Sequence, residues 1–216
     1  MIDCRPLIAA AALMLAASSA FAADKLTCDS TITAKTTLAD LEKAYGKKNV
    51  KTGEVPGPEG TTMIATTIFP KDKTKTFEVY WFDEQKHEGL AGYTIPQDGM
   101  GPGGLKLGMA IKDVETINGG PFTLSGFYWD YGGGANFSDG KLSDLPDDCF
   151  VGVTFNPSVD PPNDTISNAI SGDKELKSDM KEFEIVKPVV QMIDISFSDP
   201  NEGEDDSPPE SGDAAK

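Results

Sequence analysis

Histidine occurs once, at His87, and the chain holds no H-E-x-x-H, C-x-x-C or G-x-S-x-G arrangement. Zinc hydrolysis and serine-nucleophile chemistry therefore each lack a necessary part. Basic residues are also few: 19 Lys and Arg stand against 35 Asp and Glu, a formal net charge of −16. A field of that sign disfavours nucleic acid and anionic membrane surfaces, and suits solubility and basic partners. After the first residues no segment stays apolar for the ~20 positions that a bilayer crossing needs, so no membrane span is expected. Cysteine is confined to Cys4, Cys28 and Cys149.

The N-terminus supplies what the rest of the chain lacks. Arg5, an apolar run from Leu7 to about Ala17 and the small-residue site Ala20-Phe21-Ala22 read as a secretory signal over 1–22, cut before Ala23. Neither Cys4 nor Cys28 stands where lipidation requires a cysteine, so no lipid anchor is expected. Cleavage removes Cys4 and leaves Cys28 and Cys149 in an oxidising compartment, periplasmic or extracellular, where they are expected to pair. The signal contributes one Asp and one Arg, so the charge is unchanged. The segment from Asp199 to Lys216 has seven acids against one lysine, with several Gly and Pro, and reads as a disordered tail.

Between these ends the spacing of apolar residues predicts a helix, a set of hairpins, and then a second helix. A strand candidate at Leu26–Thr33 precedes Thr37-Leu38-Ala39-Asp40, a capping-box pattern that opens a helix burying Leu38, Leu41 and Tyr45 and stopping at Gly46. Alternation predicts strands over Thr61–Phe69, Thr76–Phe82 and His87–Ile95. The Gly- and Pro-rich 99–104 reads as a joint between a first unit, 23–98, and a second, 105–198. Its literal G-x-G-x-x-G, at Gly99, Gly101 and Gly104, contains Pro102 and lies in no parallel βαβ pattern, so it reads as a linker and no cofactor is expected.

The second unit repeats the first in outline. Ile111-Lys112-Asp113-Val114-Glu115 aligns with Leu38-Ala39-Asp40-Leu41-Glu42, and Gly119 with Gly46, at a constant displacement of 73 residues. The second helix should bury Ile111, Val114 and Ile117 and end at Gly119-Gly120-Pro121. An aromatic strand over Phe122–Tyr131, a reversal at Gly132-Gly133-Gly134, a return at Ala135–Phe137, and strands at Cys149–Phe155 and Val189–Phe197 complete it. Loops with at most one short helix are expected over 156–178.

Carboxylates are abundant, but none forms a pair marked out by apolar surroundings. Asp199, Asn201 and Glu210 occupy positions 1, 3 and 12 of an EF-hand loop, yet position 5 fails and Glu204 stands where the turn needs glycine. No catalytic or metal-ligating set is assigned. The candidate partner-binding residues are an aromatic cluster and the Asp within it: Tyr128, Trp129, Asp130 and Tyr131 in the second unit, with Tyr80 and Phe82 in the first; alternation puts Phe127, Trp129 and Tyr131 on one strand face and Tyr128 and Asp130 on the other.

Gly108, Asp113, Val114, Gly119 and Pro121 form a short-helix motif followed by a hairpin that resembles the BamE/SmpA outer-membrane assembly module. Two such units with paired cysteines and a leader also resemble the architecture of the β-lactamase inhibitor proteins. The resemblance implies an α+β fold, two tandem helix-plus-antiparallel-hairpin repeats forming a sheet with helices on one face and the other face free to bind. The absence of a lipidation cysteine departs from the BamE pattern. The function expected is an exported, non-enzymatic module recognising a protein or envelope component through that face. The alternatives are a small-molecule, carbohydrate or metal-ion binder, or a carboxylate-based hydrolase.

Overall fold

A computed structural model describes residues 25–28, 30, 32–146 and 148–199. The leader expected over 1–22 and the tail after Asp199 lie outside the described residues. Thr37 opens α1 (Leu38–Tyr45): its hydroxyl accepts the Asp40 N–H, and the Asp40 carboxylate accepts the Thr37 N–H at 3.1 Å. These two bonds satisfy free donors of the first turn. Gly46, at φ 84°, ends the helix. The second helix, α2 (Ile111–Asn118), ends on Gly119 at φ 88°. Leu38 and Tyr45 thus become Ile111 and Asn118, the displacement of 73 expected from the sequence.

Four strands follow α1: β1 (Val50–Pro56), β2 (Thr62–Ile68), β3 (Phe77–Asp83) and β4 (Glu88–Thr94). After α2 come β5 (Thr123–Ser125), β6 (Ala135–Asn136), β7 (Cys149–Pro157), α3 (Asp164–Ile170), β8 (Glu175–Lys177), α4 (Phe183–Val186) and β9 (Pro188–Phe197). The main sheet is antiparallel with order β1-β2-β3-β4-β9-β7, and β6-β5-β8 form a smaller sheet. The class is α+β. Residues 102–104 make a 3-10 turn in the joint.

Period-two alternation directs one face of the main sheet inward. Phe77, Val79 and Trp81 of β3, Tyr93 of β4, Ile193, Ile195 and Phe197 of β9, and Val151, Val153 and Phe155 of β7 form one core with Leu41 and Tyr45 of α1 and Ile111 and Val114 of α2. Tyr45 meets Phe69 and Phe77 edge-on, at 5.7 and 5.6 Å between ring centroids. Trp81 Nε1 donates to Thr66 Oγ1 at 3.0 Å, which meets the polar requirement of a buried indole. Cys28 and Cys149 are joined in a disulfide that ties the segment before α1 to the first residue of β7. No helix among the described residues is long and apolar enough to cross a membrane.

Two expectations need correction, and two strands were not foreseen. The described residues of Leu26–Thr33 form no strand; Lys25 bridges Met100, and Leu26, Cys28 and Ile32 are buried. β1 escaped the reading because Gly53 and Pro56 interrupt its pattern, which an edge strand tolerates. The aromatic strand expected over Phe122–Tyr131 stops at Ser125. There the Gly126 and Phe127 N–H groups turn to the carbonyls of Lys174 and Ile170 instead of a ladder partner. In 156–178 the one short helix allowed for is α3, capped by Asn163, while β8, paired to β5, was not expected.

Candidate functional site

The outward face of the main sheet is built from the residues that alternate with the core. Backbone register places Tyr80, Gly92, Ser196 and Phe150 in one row across β3, β4, β9 and β7. The next row runs Thr94, Asp194 and Gly152, with Glu78 beside Thr94, whose hydroxyl accepts the Glu78 N–H at 3.0 Å. On this face Phe150 is 56% exposed, Met192 44% and Phe82 38%. Between them Tyr80, Glu78 and Asp194 are half-buried.

The polar groups of this face are held in unlike ways. Tyr80 donates its hydroxyl to Glu78 Oε2 at 2.6 Å. Burial, followed by that bond and the Glu78 charge, holds the Tyr80 hydroxyl far above its ordinary range, so it remains a donor at any physiological pH. Asp194 is also shifted upward, because burial disfavours its charged form; a hydrogen bond to its own backbone opposes this only in part. Among the described residues, the four ion pairs join Lys47 to Glu42, Lys75 to Asp72, Lys86 to Asp83 and Lys112 to Glu115, and none of them reaches Asp194.

The second group of aromatic candidates stands elsewhere. Trp129 is half-buried, donates Nε1 to the Gly126 carbonyl at 2.8 Å and meets Tyr131 edge-on at 5.5 Å. Tyr128 and Tyr131 are each 57% exposed, and Asp130 is exposed. Tyr128 has φ 65°, a left-handed conformation that a bulky residue adopts only when its surroundings fix it. Three backbone bonds fix the loop: Gly133 N–H to the Ser125 carbonyl, Phe155 N–H to the Gly133 carbonyl, and Gly172 N–H to the Phe127 carbonyl. Tyr131 donates to Glu59 Oε1 at 2.9 Å, linking this loop to the β1–β2 turn; that bond is the first cause of its raised pKa.

The sequence grouped Phe127, Trp129 and Tyr131 on one strand face, with Tyr128 and Asp130 on the other. In the loop that alternation is lost: Phe127 is core, at 1% exposure, while Tyr128 and Tyr131 both face solvent. Tyr80 and Phe82 belong to β3, whereas this loop is bonded to β7, three strands away across the sheet. The candidates therefore form two surfaces. Phe150, Met192 and Asp194 were missed, although the alternation that assigns Cys149, Val151, Ile193 and Ile195 to the core assigns these to the opposite face.

No group of three or more His, Cys, Asp or Glu among the described residues could hold a metal ion. The concavity beside Phe122, Thr123, Asn136 and Lys177, about 310 Å³, is a trough open to solvent. In comparisons with known proteins, no family model, curated protein or solved structure matches the chain.

Proposed function

We propose that this protein is an exported, non-enzymatic binding module that recognises a protein or envelope component through the outward face of its main sheet. The observation that carries the reading is the exposure of Phe82, Phe150 and Met192 around half-buried Tyr80, Glu78 and Asp194 on one strand-built surface. Exposed large apolar residues scattered singly are ordinary, but three framing a desolvated polar centre have the composition of an interface core. Export is supported by the leader-like 1–22 and by the disulfide between Cys28 and Cys149. The tandem BamE-like reading is supported by the displaced helix and its glycine stop.

A carbohydrate ligand is the second reading. It is favoured by Tyr128 and Tyr131, exposed on a loop whose backbone is pinned at several points, next to Asp130. The test is capture from an envelope extract on immobilised wild type, Phe150→Ser, Met192→Ser and Tyr128→Ala proteins. The first reading expects a captured component that the Phe150 and Met192 variants lose and Tyr128→Ala keeps. Loss with Tyr128→Ala alone, reversed by free saccharide, would replace it with the second.

A further inference from the structure

We propose that the occupant of the outward sheet face is a basic segment of a protein partner, seated so that an arginine or lysine side chain meets Asp194. The proposal rests on the reading of that face as the binding surface, and adds the chemistry of what it binds. Asp194 lies against Gly152 of the neighbouring strand, where an added Cβ would stand 2.4 Å from the carboxylate. The missing side chain at 152 is what lets the carboxylate lie down on the sheet. Along β9 its neighbours on the face are Met192 and Ser196; diagonally across β7 they are Phe150 and Thr154. The carboxylate therefore sits low between two exposed apolar side chains, and burial raises its pKa.

An anion in such a setting is completed by a cation that brings its own apolar stem. Arginine and lysine do this, laying methylenes on Phe150 and Met192 while the charged head reaches the carboxylate. A neutral or acidic occupant would cover Asp194 without meeting its charge, which costs free energy. Glu78 adds a second acceptor two strands away, its Oε2 bonded to Tyr80. The cation on the same row, exposed Lys51 of β1, lies beyond Thr67 at the far edge of the sheet. The chain as a whole carries −16, which steers a basic partner inward.

The width of the face favours a polypeptide over a small amine. Phe82 stands on β3 and Phe150 on β7, three strand spacings apart, or about 14 Å. An extended segment of roughly four residues spans that distance.

The test uses amide NMR of the full protein with the probe acetyl-Val-Thr-Arg-Val-Thr-amide and its twin carrying citrulline, the neutral isostere, for arginine. We expect saturable shifts at Gly152, Met192 and Asp194, at least tenfold tighter for the arginine peptide. They should weaken in 0.5 M salt, vanish in Asp194→Asn and persist in Asp179→Asn, an exposed site outside this face. Equal affinity for the citrulline peptide, shifts surviving in Asp194→Asn, or no saturable shift on this face would each overturn the proposal. An Asp194→Asn spectrum with unchanged dispersion shows that any loss is not unfolding. Capture of a partner separates the two readings. If it is lost in Phe150→Ser but untouched by Asp194→Asn, the face stands and the basic occupant falls. If neither variant changes it, the face falls as well.

Discussion

The stretch from Leu38 to Thr94 and the stretch from Ile111 to Phe197 begin alike and end differently. Each opens with an eight-residue helix, an Asp whose carboxylate accepts the N–H of the residue before the helix, and a glycine stop. The first then runs through four consecutive strands, each paired to the next in the main sheet. In the second, β5, β6 and β8 leave for a smaller sheet, and β9 returns to sit between β4 and β7. Helix signals are local and repeat with the sequence. Strand placement depends on which distant backbone claims each N–H, and here Lys174 and Ile170 claim those after Ser125. The regular half is thus built by strands that pair with their neighbours in sequence, the irregular half by long-range bonds and the disulfide.

The largest test of this contrast is removal of the bond between Cys28 and Cys149, separated by 121 residues. The chain-entropy model assigns about 4–5 kcal/mol to a loop of that length. Reduction, or the double change Cys28→Ser and Cys149→Ser, should lower the thermal midpoint by on the order of 10 °C in calorimetry. A fall of about 2 °C or less would mean that strand pairing alone holds the halves together.

Glycines sharpen the comparison next. At Gly133, φ is 79° and a Cβ would stand 2.0 Å from the Phe155 carbonyl oxygen, whereas nothing lies within 4 Å of a Cβ at Gly53 of β1. Gly133→Ala should cost ~3 kcal/mol in urea unfolding, combining backbone strain with overpacking. Gly53→Ala should be neutral or gain a few tenths of a kcal/mol, roughly, from the less flexible unfolded chain. Equal effects would dissolve the distinction between the halves.

A smaller effect separates the two helix starts. Thr37 caps α1 with its hydroxyl, while Ala110 offers α2 none. Thr37→Ala should lose ~1 kcal/mol and Ala110→Ser gain up to ~1 kcal/mol. If Ala110→Ser gains nothing, the backbone at that helix start does not admit a side-chain cap.

This asymmetry also explains what the sequence made legible. Both helices, their displacement, and the core faces of β3, β7 and β9 follow from spacing, glycine stops and alternation, which need only near neighbours; the disulfide follows from the two cysteines left once the leader is set aside. The aromatic loop did not, since Phe127, Trp129 and Tyr131 satisfy period-two alternation as well as a strand would. The glycines break the pattern: Cβ atoms at Gly126 and Gly133 would stand 2.3 Å from the Gly172 and 2.0 Å from the Phe155 carbonyl oxygens, where other backbones cross the loop. Tyr80 and Phe82 were found as aromatics. Asp194 was passed over because its carboxylate lies against Gly152 of β7, a strand far from it in sequence.

Two aspartates complete the comparison through their charge. Hydrogen bonds from the Thr37 side chain and backbone hold Asp40, at the regular helix start, below the ordinary carboxylate range. Burial holds Asp194 above it. The charge of Asp40 therefore favours folding, an effect present above the ordinary pKa and lost as pH falls through the lower folded value. For Asp194 the sign is reversed: the folded state holds its proton more tightly, so a penalty appears as pH rises through the ordinary value and is complete above the folded one. Asp194→Asn should accordingly raise the thermal midpoint at pH 7, with the gain closing near pH 3, where both states are already protonated. A gain of equal size at both pH values would assign the effect to packing instead of charge. The same substitution should weaken capture of the partner. A change that stabilises the fold while removing binding identifies a charge whose stabilising contacts come from the partner and not from this chain.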